Sequence, residues 1–404
     1  MRTYISTNPF TPSERKAVFS LAGIYFLRMF GVFMVLPVLS LYADRLSGAT
    51  PFMIGLALGV YGFTQAAFQI PFGMLSDRYP RKYIIATGLI IFAIGSAVAA
   101  LADSMMVLVV GRAIQGAGAI SAAVLALNAD LTRSDQRTKS MAVIGISIGA
   151  AFMVSLVLAP VIQGYIGVPG LFWMIVLLSV SAVFVLAKVV PDAEPVGRQT
   201  RTVLAAGQFR RLVRNPQLLQ LNLGILILHL VLTALFLLLP ALFREKSGLE
   251  LSGHWKLYLI VLAVSVIGMI PFVVAGSRER WFKGTYRAAI GVLLLATCAI
   301  FSAYHYALFT VMAAAALFFS AFNALESLLP SIVSQIAPQN QRGAAIGIYN
   351  TFQFAGIFLG GTVGGWLNGQ YGHAGVWIFC ILSITVWLGS TMALGGLRET
   401  PAEE

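Results

Sequence analysis

Three ionisable side chains lie inside long apolar stretches of this sequence, where a charge is costly. Glu326 is the one carboxylate well inside such a stretch, and Arg28 and Arg112 are the two cations in comparable positions. A charged side chain at the centre of a bilayer costs about 2.5–3.5 kcal/mol or more, so these residues are candidates for function. Because burial favours the neutral form of a carboxylic acid, Glu326 suits a proton carrier.

Each of these residues also has a structural interpretation. Glu326 can be a neutral side chain that hydrogen-bonds between helices, to Asn323 or Ser327. Arg28 and Arg112 can stabilise the charged form of a nearby acid, bind an anionic group, or donate to backbone carbonyls and brace helix packing. We expect Glu326, Arg112 and Arg28 to form a proton-coupling site, and for Arg28 the bracing role stays equally open.

Other polar and aromatic side chains on the apolar stretches can line a substrate cavity: Gln65, Gln69, Asn222, His229, Asn323, Tyr349, Asn350 and Gln353. Each is equally suited to a hydrogen bond between helices. The two cysteines have no metal-ligand spacing, so neither a metal nor a cofactor is expected. Gly145-Ile-Ser147-Ile-Gly149 fits the nucleophile elbow of hydrolases, but it lies in the middle of an apolar run. The sequence therefore does not predict an enzyme, and without a Walker motif the energy must come from a gradient.

The composition identifies the class of protein. Only 10% of the 404 residues are charged and 58% are hydrophobic, whereas a soluble domain has about 25% charged residues. This predicts an all-α membrane protein that crosses the lipid bilayer many times. The net charge of +12 would suggest a nucleic-acid partner in a soluble protein. Here basic loops on one side of the membrane account for it, so no nucleic acid is expected.

The apolar runs predict twelve transmembrane spans, each long enough for the ~20 residues that a crossing helix needs. They cover approximately residues 12–42, 51–75, 83–102, 105–130, 138–166, 171–191, 216–243, 254–275, 285–304, 306–335, 342–370 and 375–397. We expect residues 1–191 to form an N-terminal six-helix bundle, 192–215 a cytoplasmic linker and 216–404 a C-terminal six-helix bundle.

The distribution of basic residues predicts the orientation. With both termini in the cytoplasm, 21 of the 27 lysines and arginines lie in cytoplasmic segments, and four are external: Arg45, Arg244, Lys246 and Lys256. This bias agrees with the positive-inside rule. A shift of 205 residues also places Gln136-Arg137 on Gln341-Arg342, which indicates two related halves. Two repeats around a central site are typical of secondary transporters.

The turn between spans 2 and 3 carries the strongest motif, Gly73-Met-Leu-Ser-Asp77-Arg78-Tyr-Pro-Arg81-Lys82. It resembles the signature loop of the major facilitator superfamily, a glycine followed by Asp-Arg and Gly-Arg-Lys. Pro80 stands where that family usually has glycine, and the departure should stiffen the turn. In span 4, Arg112-Ala-Ile-Gln115-Gly116-Ala-Gly118 is similar to the second motif of the superfamily.

Two further stretches resemble the drug/proton antiporter branch of that superfamily. Pro37-Val-Leu in span 1 is similar to the corresponding stretch of the branch. In span 5, Pro160 and Gly164 match its antiporter motif, whereas Ala159 and Gln163 replace two of its glycines. The match to the branch is therefore partial.

The resemblance implies the major facilitator fold, with twelve transmembrane helices in two pseudo-symmetric halves. It also implies a monomer in the bacterial inner membrane that exports small lipophilic or weakly basic compounds in exchange for protons, by alternating access. One alternative is a proton-linked importer or uniporter of a small metabolite. Another, from a different class, is a membrane sensor that transports nothing.

The resemblance further implies a conformational latch formed by Gly73, Asp77, Arg78, Arg81, Lys82, Asp130 and Arg342. In this latch Asp77 faces the positive N-terminal end of span 11 near Arg342, and Arg81 pairs with Asp130. The alternative is a solvated basic turn that only sets the topology.

Overall fold

The computed structural model describes residues 9–192, 211–278, 280–338 and 341–393, and these ranges are mostly helical, with no β-strand within them. Most of the predicted linker and the last residues of the predicted span 12 lie outside the described residues. The chain divides into unit 1, residues 1–49 with 60–201, and unit 2, residues 50–59 with 202–404.

Unit 1 begins with a helix whose start the sequence predicts. The Thr11 hydroxyl accepts a hydrogen bond from the Glu14 backbone N–H at 3.2 Å, and the Glu14 carboxylate accepts one from the Thr11 N–H at 2.9 Å. This reciprocal capping box satisfies two donors at the helix start. The helices are α1 (Pro12–Met34), α2 (Leu36–Ala43), α3 (Pro51–Arg78), α4 (Arg81–Ala100), α5 (Met105–Ala117), α6 (Ser121–Asp130) and α7 (Arg137–Lys188).

Unit 2 is built around the contact between its first and last helices. Its helices are α8 (Pro216–Ser247), α9 (Trp255–Gly276), α10 (Phe282–Ser302), α11 (Leu308–Ile336) and α12 (Arg342–Ala393). A Cβ at Gly356 or Gly360 of α12 would overlap the backbone of Leu226 or Leu230 in α8. The two glycines therefore let the helices approach to backbone contact, as small residues do in membrane proteins.

The first residues of α3, which belong to unit 2, pack against α12 for the same reason. A Cβ at Gly55 or Gly59 would overlap backbone atoms of α12, and a Cβ at Gly361 or Gly365 of α12 would overlap those of α3. The glycine positions of α12 thus serve two faces, one against α8 and one against residues 51–59. This contact explains why residues 50–59 group with unit 2.

Two of the helices are long enough to cross a bilayer twice. Ten helical stretches of the described residues are long and apolar enough to span a membrane, and α7 and α12 have 52 residues each. At about 1.5 Å per residue, such a helix would be about 78 Å long. Each one instead turns at a glycine in the left-handed region, Gly167 with φ 69° and Gly372 with φ 64°. The twelve predicted crossings are thereby confirmed within the described residues.

Span 4 is interrupted, contrary to the continuous helix that the sequence predicts. Between α5 and α6, residues 118–120 are not helical, and Ile120 N–H donates to Gly118 O at 3.1 Å. A Cβ at Gly118 would overlap the Gly88 carbonyl of α4. Glycine is thus required where the broken segment presses against the neighbouring helix.

Candidate functional site

Glu326 lies in unit 2 as part of an acid cluster of three side chains, Glu326, Gln353 and His229. The Gln353 amide nitrogen donates to Glu326 Oε1 at 3.2 Å and lies 2.8 Å from His229 Nε2. His229 Nδ1 lies 3.3 Å from the Ile225 carbonyl. These contacts fit a neutral imidazole that carries its proton on Nδ1 and accepts from Gln353 on Nε2. The cluster joins α8, α11 and α12.

The acid cluster is only partly enclosed. The Glu326 side chain is 37% exposed and that of His229 is 8% exposed. Glu326 Oε2 is itself buried, has no hydrogen-bond partner among the described residues, and lies 3.8 Å from His229 Nε2. A proton on Oε2 would therefore face the imidazole nitrogen across a short gap. The arrangement can hold and release a proton, with two titratable groups side by side.

The structure does not place Glu326 against the partners that the sequence suggested. Asn323 donates instead to Ser265 Oγ at 3.4 Å, and Ser327 donates to the Ala324 carbonyl. Both residues lie on α11 close to Glu326 in sequence, but closeness in sequence does not bring their side chains into contact with its carboxylate. The true partners come from other helices, 27 positions away for Gln353.

The remaining predicted cavity residues of unit 2 are less informative. Asn222 and Tyr349 are buried, and each has a side-chain oxygen with no hydrogen-bond partner among the described residues. Asn350 is half-buried. These residues are compatible with a cavity wall, and their role in binding stays a prediction.

Arg28 lies in unit 1, in a donor cluster that also contains Gln65 and Gln69. Arg28 Nη2 donates to Gln65 Oε1 at 2.9 Å and to the Gly118 carbonyl at 2.8 Å. Gln65 Nε2 donates in turn to Gln69 Oε1 at 3.2 Å. The bond to Gly118 supports the break between α5 and α6, so the bracing role anticipated for Arg28 is present.

The aromatic ring of Phe92 provides a further contact for Arg28, with the guanidinium carbon 5.5 Å from the ring centroid. A cation–π contact of this kind is worth about 0.5–2 kcal/mol. The effective cost of taking an ion out of water is several kcal/mol. The ring therefore offsets only part of the cost of burying this cation.

Arg112 is held by a separate network of neutral groups. Its Nη1 donates to Gln115 Oε1 at 2.7 Å, and Gln115 Nε2 donates to Ser96 Oγ at 2.7 Å. The Tyr61 ring lies 5.1 Å from the guanidinium carbon. Gln115 was not among the predicted site residues, although a spacing of three residues places its side chain on the same helix face as Arg112.

The charged turn after α3 participates in ion pairs within unit 1. Arg81 Nε lies 2.8 Å from Asp130 Oδ2, which is the pair that the sequence anticipated. Lys82 Nζ lies 2.6 Å from Asp192 Oδ1 and also donates to the Val190 carbonyl. This second pair was not predicted, because Asp192 lies 110 positions further along the chain, after the last span of unit 1.

A third ion pair binds the start of α1 to the segment before α7. Arg133 Nε and the Arg133 backbone N–H both donate to Glu14 Oε1 at 2.9 Å. The same interaction raises the pKa of the Arg133 guanidinium above its usual value. The carboxylate of the capping box thus has a second function that the local motif does not reveal.

The other residues of the predicted latch and antiporter motif occupy different environments. Asp77 and Arg78 are exposed at the end of α3, Gly73 is half-buried, and Arg342 is the first residue of α12. The contact between Asp77 and the start of α12 stays a prediction. Within α7, Pro160 is buried and Gly164 is exposed. No group of three or more potential metal ligands occurs in the described part of the chain.

Comparison with known sequences gives a consistent result. The sequence profile of the Major Facilitator Superfamily matches residues 21–328. The inner membrane transport protein YajR of Escherichia coli strain K12 is 41% identical over 384 residues, which are 95% of this chain and 84% of that protein. Multidrug resistance protein MdtH of Aeromonas hydrophila is 27% identical over 351 residues, 84% of this chain and 83% of that protein.

Comparison with solved structures supports the same fold. A bacterial homolog to the human lysosomal transporter Spinster, in an inward-facing and occupied conformation, matches with a TM-score of 0.80. The match covers 98% of this chain and 100% of that chain, at 13% sequence identity. At this identity the likeness concerns the fold alone.

Proposed function

Because this chain belongs to the Major Facilitator Superfamily, a family of membrane transporters, we propose that it exports small lipophilic or weakly basic compounds in exchange for protons. The coarser part of this statement stands without the proposal: the chain is a multi-pass inner-membrane transporter of a small molecule, and not an enzyme. The similarity to a multidrug resistance protein supports the choice of export and of a lipophilic substrate.

The observation that carries the proposal is the environment of Glu326. Its carboxylate lies well inside α11, accepts a hydrogen bond from Gln353 of α12 and lies 3.8 Å from the His229 ring of α8, and more than a third of the side chain is exposed. A group that must exchange protons needs both features, since burial makes the charge costly and access allows the proton to leave. Proton binding at Glu326 would favour one conformation only if its proton affinity differs between conformations.

In unit 1, Arg112 and Arg28 are also proposed to take part in proton coupling, and the charged turn is the proposed latch. Both arginines are buried cations inside membrane-spanning segments, where charged side chains are rare and usually functional. The Arg81–Asp130 pair supports the latch, which would fix the end of α6 to the turn in one conformation. Both termini would lie in the cytoplasm, and the working unit would be a monomer.

A second candidate function is proton-linked import or uniport of a small metabolite. The observation in its favour is the altered antiporter motif of α7, in which Ala159 and Gln163 replace glycines. This candidate predicts saturable uptake into the cell and no release of protons when lipophilic cations bind.

The first prediction concerns Glu326→Gln, which should abolish proton release on substrate binding and leave the protein folded. The substitution keeps the size and most hydrogen bonds of the side chain but removes its proton exchange. We would add ethidium and tetraphenylphosphonium to purified protein in weakly buffered detergent and follow the pH. The control is Glu245→Gln, whose carboxylate is 62% exposed at the end of α8, and it should behave as wild type.

Each outcome of this experiment has a clear meaning. Release from the wild type and the control alone supports Glu326 as the proton carrier. Equal release from Glu326→Gln places the proton elsewhere, with Asp130 the next candidate. No release from the wild type with either cation contradicts proton antiport of lipophilic cations, and saturable uptake into the cell would then favour the import function.

A further inference from the structure

The donor cluster of unit 1 has more hydrogen-bond donors than acceptors. Of the five N–H bonds of the Arg28 guanidinium, the two on Nη2 are used. The one on Nε and the two on Nη1 have no acceptor among the described residues, and neither has Gln69 Nε2 at the other end of the chain of bonds. Arg28, Gln65 and Gln69 are 1%, 0% and 3% exposed. The cluster is thus buried, and the donors at its two ends, on Arg28 and on Gln69, have no hydrogen-bond acceptor among the described residues.

The sequence gives this cluster no internal counter-ion. In the predicted spans of unit 1, carboxylates occur only near the ends, as Glu14 and Asp130. The guanidinium contacts an amide, a backbone carbonyl and the Phe92 ring, and the nearby titratable group is the Tyr25 hydroxyl, which is neutral at ordinary pH. A buried cation whose surroundings are all neutral favours the binding of an anion, and one unit of charge matches a monoanion.

The interrupted span adds to the same preference. α6 begins at Ser121, directly after the break to which Arg28 donates. The first N–H groups of a helix lack partners within the helix and carry a partial positive charge. Broken spans in secondary transporters commonly present such helix starts to anionic parts of their substrates. The positive end of α6 and the Arg28 guanidinium therefore lie at the same place in unit 1.

We propose that the donor cluster binds the carboxylate of the transported compound, so that lipophilic organic acids are substrates. A carboxylate is an acceptor with two oxygens and one charge, which suits the unused donors of Arg28 and Gln69. Enclosure away from water would strengthen these bonds. The proposal rests on the proposed function only in taking the bound compound as the transported one.

The test measures binding, which does not depend on proton coupling. Purified wild-type protein in detergent is titrated with benzoate and 1-naphthoate, each beside its neutral amide, and thermal unfolding is followed. The carboxylates should raise the unfolding temperature and the amides should not. A parallel titration with sodium chloride distinguishes an organic carboxylate from an inorganic anion, because a site for chloride alone would respond to the salt as strongly as to naphthoate.

The decisive variant is Gln65→Glu, which supplies the missing counter-ion. Gln65 Oε1 already lies 2.9 Å from Arg28 Nη2, so a glutamate there forms an ion pair without rearrangement. Rotation of the Gln69 amide would give the new carboxylate a second donor. This variant should unfold at the same or a higher temperature than wild type without ligand, and its affinity for naphthoate should fall at least tenfold. Gln69→Leu, which removes one unused donor, should weaken naphthoate binding without changing the response to the amide.

The proposal is overturned if Gln65→Glu binds naphthoate like the wild type, if the amides bind as well as the acids, or if neither acid binds. A response to chloride equal to that of naphthoate also overturns it, because the site would then hold an inorganic ion. Failure of the proton antiport proposal looks different, since the acids would bind with normal affinity while no protons are released and Glu326→Gln changes nothing.

Discussion

The charged side chains inside the two units differ in their exposure to solvent and in their contacts. In unit 1, Arg28 is 1% exposed and is held by an amide, a backbone carbonyl and an aromatic ring. In unit 2, Glu326 is 37% exposed and is held by an amide beside a histidine. A glutamine side chain mediates the contacts in both, but the acid is far more exposed to solvent and has a histidine next to it. The difference is the one expected if the cation fixes structure or a ligand and the acid exchanges protons, as we propose.

The backbones near these two sites also differ, because one span is interrupted and the other is continuous. Span 4 of unit 1 is broken at residues 118–120, where the Arg28 side chain donates to the buried Gly118 carbonyl. The position 205 residues later is Asn323, inside α11, which runs without interruption from Leu308 to Ile336. Unit 1 thus uses its cation to satisfy a broken backbone, a requirement that the continuous α11 does not have at this position.

The largest loss of stability is expected for Gly118→Leu, which places a large side chain in the interruption between α5 and α6. A side chain at this position would overlap the Gly88 carbonyl of α4, and backbone atoms cannot move aside as a flexible side chain can. We expect a loss of more than about 3 kcal/mol of stability, seen as loss of the folded monodisperse peak in size-exclusion chromatography.

Two further leucine substitutions serve as controls for Gly118→Leu. Asn323→Leu at the corresponding position of unit 2 should unfold near the wild-type temperature, because α11 is continuous there and the bond to Ser265 is long at 3.4 Å. Gly145→Leu in α7, where a Cβ meets nothing within 4 Å, is the control for adding a leucine to a span. If Gly118→Leu is as stable as these two, the break is not the constraint that the geometry indicates.

The next largest effect should come from Gln353→Leu in the acid cluster. The Gln353 amide contacts both Glu326 and His229, so its removal leaves the carboxylate without a donor. A hydrogen bond to a charged group is worth about 1.5–3 kcal/mol, so proton release on binding of ethidium should fall by about tenfold or more. The control is Thr385→Val on the same helix, whose exposed hydroxyl contacts only its own backbone. Wild-type release from Gln353→Leu would show that Glu326 works without this cluster.

The crossings of the membrane could be predicted from sequence, because each depends on local information. A run of apolar residues fixes the length of a span, and the turn at Gly167 follows from its position next to Pro169. The capping box of Thr11 and Glu14 is likewise contained in four residues. These features need no knowledge of how the helices pack.

The candidate sites could be predicted only in part, because their partners come from distant positions. Glu326 and Arg28 are visible as charges in apolar runs, but the contact between Gln353 and His229 joins residues 124 positions apart. The break after Ala117 was missed for a related reason. A Gly-Ala-Gly sequence fits a tightly packed helix as well as an interruption, and the approach of Gly88 decides between the two.

Burial should also determine how much each ion pair of unit 1 contributes to the stability of the protein. The side chains of Arg81 and Asp130 are 11% and 21% exposed, so removal of one partner leaves a largely buried charge. Arg81→Gln should therefore destabilise the protein by about 1–3 kcal/mol. The measurement is thermal unfolding in detergent at low and high salt, and the loss should persist in high salt because a buried pair is poorly screened. An unchanged unfolding temperature would contradict the rule for this pair.

The smallest effect is expected for Lys82→Gln, one position further along the same turn. The distance of 2.6 Å to Asp192 is even shorter than that of the Arg81 pair, but Asp192 is 92% exposed. Exposed pairs are worth about 0–1 kcal/mol, and the carboxylate that loses its partner remains in water. The unfolding temperature should change little at low salt and not at all at high salt, where the pair is already screened in the wild type. A loss of stability as large as that of Arg81→Gln would mean that distance, rather than burial, sets the strength of these ion pairs. The difference in exposure between Arg28 and Glu326 would then be a weaker argument for their different roles.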